Sequence, residues 1–295
     1  MATYHQNVNS SIIMDLIYHY TNASALLGMF KNCSKENPYI TMWATHALYL
    51  HDPTEYEYGK EKCYDILPIL EEKMGIPVES RISTMRDMYI TEMSKLRDFI
   101  SSTRPNSIQY GTPYLISFSK SEDSLPMWSN YAQNGNGIAI GFNPDKLSEY
   151  IKIKDCKYNI AEIDYNELID EIQIDYNIAL SGICEANKDS DKELAILDFM
   201  TMFHPKIASF IKHNRYEYEQ EVRCRALNAN EILFRESNGL IIPYVEVNIP
   251  YKYIERIYIG PTVDAQRMKN ALSMMWHKHR INGINVRTSE IPYRG

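Results

Sequence analysis

An α+β fold built on a mixed or largely antiparallel sheet is predicted by three observations. Strand-like runs outnumber the helices that could serve as βαβ crossovers. The runs Glu219–Leu227, Leu240–Ile249 and Ile254–Ile259 follow one another with no helix between them. Neither a G-x-G-x-x-G nor a Walker pattern occurs, because Gly135–Asn136–Gly137 lacks the remainder of either. The 295 residues, 44% hydrophobic and 23% charged, have ordinary globular usage and supply a sizeable core. The expectation is one domain over residues 1–295 with two helical insertions, at about 60–101 and 165–213.

The elements follow in order. Leu16–Thr21 alternates β-formers and reads as a strand; a helix follows, with Thr21 or Ser24 placed to cap it. Tyr39–Ala44 is a second strand, and Tyr49–Tyr58 a loop carrying His51–Asp52–Pro53–Thr54–Glu55. Lys60–Met74 is helical. From Pro77 to Ser101, apolar residues at 82, 85, 88, 90, 93 and 96 keep close to helical spacing, and the methionines among them read as packing. Arg104–Gly111 is a polar linker. A strand returns at Pro113–Ser119, and a short helix lies within Ser121–Tyr131, with Asp123 or Ser124 as cap. Gly135 and Gly137 turn the chain into the buried strand Ile138–Phe142, followed by a helical turn at Asp145–Tyr150. Tyr165–Ile183 and Ser190–His213 form the second helical insertion. After the three late strands come a helix over Asp264–His279 and a strand at Asn285–Thr288.

A net charge of −7 argues against a surface that is basic everywhere. Five cysteines at 33, 63, 156, 184 and 224, with no C-x-x-C pair, indicate neither a disulfide framework nor a zinc ribbon and fit a reducing cytoplasm. No signal-like start and no apolar run of spanning length is present, so a cytoplasmic location without a membrane partner is expected. His46, His51, Asp52 and Glu55 lie close together without a metal-binding spacing, and His277 and His279 fall on different faces of a helix. No metal site is expected.

Three constellations carry chemistry. His19 and Thr21, at a strand-to-helix junction, offer a ring donor or acceptor and a hydroxyl; the alternative is a satisfied histidine beside a capped helix. Ser117 and Ser119 share one strand face opposite Phe118, suiting a sugar or phosphate or else capping the next turn. If Tyr216–Arg225 is extended, Glu217, Glu219, Glu221 and Arg223 share a face. Such carboxylates either hold ligand hydroxyls and a developing positive charge, or form a solvated edge.

Taken in order, Tyr18–His19–Tyr20–Thr21, Asp52–Pro53–Thr54–Glu55, Ser117–Phe118–Ser119, Asp123–Ser124–Leu125–Pro126–Met127–Trp128, Gly137–Phe142, Glu219–Gln220–Glu221–Val222–Arg223, Ile259–Gly260–Pro261–Thr262 and Pro292–Tyr293–Arg294 resemble a bacterial family, domain of unknown function 2971. That family in turn looks like a distant relative of the ADP-ribosyltransferase fold, whose His-Gly-Thr or His-Gly-Ser block the first motif resembles with Tyr20 in place of glycine. The resemblance implies an ADP-ribosyltransferase-like sheet core and NAD as co-substrate. His19 and Thr21 would hold the adenosine-side ribose, Tyr20 between them would also border the cofactor, and Ser117 and Ser119 would line the nicotinamide side. Glu221, or else Glu219, would be catalytic, and Arg223 would bridge the pyrophosphate or neutralise Glu221. Tyr20, Phe118, Trp128 and Tyr131 are the candidates to stack on nicotinamide. The implied activity is ADP-ribose transfer to a protein or nucleic-acid acceptor by a toxin or anti-phage effector. The alternatives are an NAD glycohydrolase and a non-enzymatic nucleotide sensor. His213, Arg215, Arg223 and Arg225 supply local positive charge compatible with an anionic acceptor.

Overall fold

A computed structural model describes residues 15–52, 54–89, 112–226, 231–237 and 239–293. Ten strands form one mixed, mostly antiparallel sheet: β1 (Ile17–Thr21), β2 (Tyr39–His46), β3 (Tyr114–Ser119), β4 (Ile138–Phe142), β5 (Ile153–Asp155), β6 (Glu221–Ala226), β7 (Leu233–Ser237), β8 (Leu240–Pro250), β9 (Ile254–Ile259) and β10 (Asn285–Thr288). The order β10-β9-β4-β1-β3-β2-β8-β7 carries β6 and then β5 as a branch from β3, and only the β9–β10 pair is parallel.

The branch point positions the site. One side of β3 pairs along its whole length with β6, from Tyr114 against Ala226 to Ser119 against Glu221. Its other side is shared: β2 pairs with the first two residues, and β1 meets it only at Tyr18 opposite Ser119. Between these contacts β1 and β2 diverge and leave a fork over Ile116–Phe118.

One sheet face, with Ile17, Ile40, Met42, Ile116, Phe118, Ile138, Ile140 and Phe142, packs against α1 (Ala23–Phe30) and α8 (Ala265–His279) through Phe30, Leu272 and Trp276. Asn22 caps α1 by accepting from the Ala25 amide at 2.8 Å, so the cap lies between the two residues expected from the sequence. On the opposite face Tyr18 and Tyr20 join Met127 and Trp128 of α4 (Leu125–Tyr131). Asp123 does not cap α4; its carboxylate accepts from Trp128 Nε1, Ser289 Oγ and the Glu290 amide, tying the last described residues to this helix. A short helix, α5 (Pro144–Ser148), follows β4.

The two insertions expected from the sequence join each other. Helix α2 (Glu55–Lys73) starts inside the expected loop, because Asp52 accepts from the Thr54 amide and hydroxyl and so prepares the first turn. Together with α3 (Ile82–Tyr89) it packs on α6 (Tyr165–Glu185) and α7 (Asp189–Ile207) around Leu67, Leu70, Ile82, Ile172, Tyr176, Ile196, Phe199 and Phe203. Gly59 brings α2 against the end of α7: an added Cβ would lie 2.4 Å from the Ala208 carbonyl oxygen. Of the methionines expected to pack, Met85 does, Met88 is exposed, and Met93 lies outside the described residues, as do the expected helical stretch 90–101 and the linker 104–111.

Strands β5 and β7 are short additions that the sequence did not disclose. The late strand expected at Glu219–Leu227 begins only at Glu221. Residues Asn214–Glu219 form a 3-10 helix that ends at Gln220 with φ 44°, in the left-handed region. Glu217, Glu219 and Glu221 therefore do not share one strand face. Leu227 lies outside the described residues.

Candidate functional site

A pocket of about 220 Å³ opens at the fork. Its lining combines His19 of β1, Trp43 and Thr45 of β2, Ser117 of β3, Tyr131 of α4, Glu221 and Arg223 of β6 and Arg235 of β7 with Glu55, Lys212 and Glu219 from the segments beneath. Sheet geometry explains the convergence. Thr45, Leu115, Ser117, Arg223 and Glu221 alternate onto one face through the β2–β3–β6 register, and the divergence of β1 from β2 uncovers that face.

The floor is a buried ion cluster. Lys212 Nζ donates to Glu219 at 2.5 Å and to Glu221 at 2.7 Å, and lies 3.3 Å from Glu55. Arg223 grips Glu221 through Nε at 2.7 Å and NH2 at 2.8 Å, and also contacts Glu55 and the Ser209 carbonyl. Tyr131 donates its hydroxyl to Glu219 Oε1 at 2.8 Å. Three carboxylates against two cations leave one net negative charge in a group of five buried side chains. Burial alone would raise the Glu221 pKa, but the Arg223 and Lys212 charges outweigh it and hold the carboxyl down at about 2. Burial works against the Lys212 ammonium as well, yet Glu221, Glu55 and Glu219 together keep its pKa above the ordinary lysine value.

The expected site residues separate into three groups. His19 reaches the fork from the Phe118 face, with Nδ1 2.9 Å from the Ser117 carbonyl oxygen. Burial, with Arg235 nearby, pushes its pKa below the ordinary value, so the neutral ring uses Nδ1–H for that bond. Ser117, Glu219, Glu221 and Arg223 line the same pocket. Tyr20 also borders it, but its ring packs edge-on to Trp128 and its hydroxyl donates to the backbone of Ser121 and Glu122. Thr21 and Ser119 stand apart from the lining. Thr21 pairs with Ile138 in the ladder, and Ser119 is fully buried, donating to the Glu219 carbonyl at 2.5 Å to hold the turn before β6.

Arg223 is wholly engaged with Glu221, Glu55 and a carbonyl, which removes it from the exposed positive patch. Arg225 and His213 are half-buried, so the exposed Arg215 carries that patch. Among the stacking candidates, Trp128 and Phe118 are buried core, while Tyr131 stands at the pocket edge with His51, ring centroids 5.6 Å apart.

Lys212 and Arg235 escaped the sequence reading, and Glu55 entered it only through a loop motif and a grouping without metal-binding spacing. Lys212 precedes Glu219 by seven residues. Among the described residues, no group of three or more His, Cys, Asp or Glu is arranged to hold a metal ion. All five cysteines are free. No described helix is long and apolar enough to cross a membrane.

A larger cleft of about 810 Å³ lies where the start of β1 separates from β5 and β6, roofed by α6 and α7. Its charges are largely self-satisfied, Lys120 on Asp155, Lys154 on Glu167 and Glu171, Lys206 on Asp175 and Arg256 on Glu122. Size favours this cleft as a ligand site; convergent buried charge favours the fork, and the chemistry follows the charge.

Fold and site thus define a mixed-sheet α+β protein with an acid-floored pocket at a fork in its sheet. Residues 127–224 match the family model described as protein of unknown function (DUF2971), the family that the sequence motifs resemble. The matched stretch contains Tyr131, Lys212, Glu219, Glu221 and Arg223 and stops short of His19, Ser117 and Arg235. No curated protein and no solved structure gives a significant match to the chain.

Proposed function

We propose that the fork pocket binds the nicotinamide-ribose half of NAD and that the chain transfers ADP-ribose from it to a protein or nucleic-acid acceptor. The observation that carries this reading is the ion cluster: a buried floor with one excess negative charge, beside an aromatic edge and a neutral histidine. Breaking the bond between the ribose C1′ and the ring nitrogen sends the bonding electron pair to nicotinamide, which leaves neutral and places positive charge on the ribose. Prepositioned negative charge stabilises that state more than the ground state. The acceptor then attacks C1′ with a lone pair and gives up a proton; with water as acceptor the product is free ADP-ribose.

Within the pair of candidate acids, Glu221 is clamped by Arg223 and Lys212, whereas Glu219 shares one oxygen with the Tyr131 hydroxyl at the pocket edge. The reading therefore assigns Glu219 to the ribose and Glu221 to holding the cluster. Arg215, beside a second pocket of about 220 Å³ that shares Glu55, offers the acceptor side some positive charge.

A second reading, a nucleotide-binding module without turnover, is favoured by one observation: every carboxylate oxygen of Glu55, Glu219 and Glu221 already has a partner. Incubation with NAD labelled on the adenylate phosphate, following nicotinamide release and label on macromolecules, separates the readings. Label on protein or nucleic acid supports transfer, and release without label identifies hydrolysis. Neither signal, with NAD bound, leaves the binding module. Loss of release in Glu219→Gln with folding retained supports the assignment; wild-type release in both Glu219→Gln and Glu221→Gln removes this site.

A further inference from the structure

The cations at the fork are unequally satisfied. Lys212 meets three carboxylates, and Arg223 meets two and a carbonyl. Arg235 forms no salt bridge among the described residues. Its one hydrogen bond runs from NH2 to Thr45 Oγ1 at 3.1 Å, and its Nε is buried without a partner. The side chain comes from the edge strand β7 and crosses β8 to reach β2, where the guanidinium lies 5.6 Å from the centre of the Trp43 ring. Tyr244 supports that ring from β8, at 4.9 Å between centroids.

A guanidinium keeps its charge even where burial pulls its pKa down, as at Arg235. Holding it half-buried with an idle donor is costly unless something anionic completes its shell. Its planar fork matches phosphate oxygens, and an indole beneath it fixes its orientation while leaving the donors free.

The position along the strands gives the pocket a direction. Thr45 pairs at the level of Leu115 and Glu221 at the level of Ser119, four residues along β3, or about 13 Å at the usual strand rise. Negative charge thus gathers at one end, near Glu219 and Tyr131, and the unpaired cation at the other, near Trp43. We infer that Arg235 is the phosphate-binding residue of the fork pocket. The pocket takes one phosphorylated nucleotide half, with its ring and ribose over the acid end and its phosphate on Arg235.

A volume of about 220 Å³ is below the ~300–1,000 Å³ common for sites that enclose a whole drug-sized ligand. The rest of a dinucleotide would extend outward past Trp43 and Tyr49. Arg223, the residue that the family resemblance offered for the pyrophosphate, has already committed its donors to Glu221, Glu55 and Ser209. This inference rests on the nucleotide reading above, but makes a demand of its own: the phosphate must matter, and must matter through Arg235.

Calorimetric titration of the full chain with nicotinamide mononucleotide, nicotinamide riboside and inorganic pyrophosphate tests it. Wild type is expected to prefer the mononucleotide over the riboside by about ten- to a hundredfold and to bind pyrophosphate. Arg235→Gln is expected to erase that preference and pyrophosphate binding while leaving riboside affinity unchanged, and Arg235→Lys to restore part of both. Equal affinity of wild type for mononucleotide and riboside overturns the assignment without any variant, as does a preference that survives Arg235→Gln. Pyrophosphate binding that depends on Arg235, with neither nicotinamide ligand bound, keeps the phosphate seat and removes the nicotinamide reading. Riboside and mononucleotide binding without discrimination does the reverse.

Discussion

Helix α2 carries two buried glutamates, about 24 Å apart along its axis at 1.5 Å per residue, and the protein satisfies them in opposite ways. Glu71 is fully enclosed by neutral donors: the Tyr176 hydroxyl at 2.7 Å, the Ser83 amide at 3.1 Å and the Ser83 hydroxyl. These bonds join α2 to the start of α3 and to α6, and none of the three residues lines the cavities described above. Glu55 is also buried but sits with two further carboxylates against Lys212 and Arg223, under open volume. A buried acid answered by neutral hydrogen bonds cross-links helices. One answered by too few charges, at the edge of a pocket, leaves a field that a ligand can use.

That contrast can be broken most forcefully at Arg223. Arg223→Leu leaves Glu55 and Glu221 without their guanidinium and is expected to cost about 3–5 kcal/mol in urea unfolding. A loss below ~1 kcal/mol would mean that Lys212 alone suffices. Glu71→Ala leaves the buried Ser83 and Tyr176 hydroxyls without the carboxylate they donate to, an expected loss of roughly 2–3 kcal/mol. Pyrophosphate affinity, measured by calorimetry on the folded variant, should stay unchanged; a fall would couple the two networks. Gly59→Ala pushes a Cβ against the Ala208 backbone and should cost about 1–3 kcal/mol in the same unfolding assay.

Acid separates two further groups, which lose stability in different windows. Burial holds the His204 pKa at about 3, below its ordinary 6.5, and its Nε2 has no hydrogen-bond partner. The unfolded chain binds this proton first. The contribution of His204 is therefore complete above pH 6.5 and lost progressively as pH falls toward 3. Glu221, lowered from 4.5 to about 2, contributes fully above pH 4.5 and loses its share between 4.5 and 2. Wild type should accordingly lose roughly 1–2 kcal/mol between pH 7 and 5, a slope that His204→Leu flattens when unfolding is followed at both pH values. An unchanged slope would assign that lability to other groups. The smallest effect is expected at Tyr131→Phe: about 1 kcal/mol or less of stability, with a several-fold slower nicotinamide release if Glu219 acts on the ribose.

Much of the secondary structure was legible because its signals are local. The buried run Ile138–Phe142 is β4 with five of five residues buried, and Ile254–Ile259 is β9 as read. Helix α6 begins at Tyr165, where Asp164 accepts from the Asn166 and Glu167 amides. Misreadings arose where a side chain did something nonlocal or where a short strand depended on a neighbour. Asp123 looked like a cap and instead binds the Trp128 indole and the chain near Ser289. Strand β5 exists through its pairing with β6, and β7 through its pairing with β8. Missing β7 also hid Arg235. Glu219 and Glu221 looked like neighbours on one strand face, but Gln220, in a left-handed conformation, turns the chain so that both converge on Lys212.

Local patterns along the chain specified an α+β class with late strands in series, its main helices, and a short roster of polar residues able to do chemistry. Each of these follows from local periodicity, capping chemistry or residue type, which act over a few residues. Packing of the sheet and helices set which of those residues meet. It opened the sheet between β1 and β2, buried Glu55, Glu219 and Glu221 together and supplied Lys212 and Arg223 against them. It also left Arg235 unpaired over Trp43. Those outcomes depend on strand order and on burial, where an unbalanced charge is costly enough to be placed deliberately, and neither can be read from spacing along the chain.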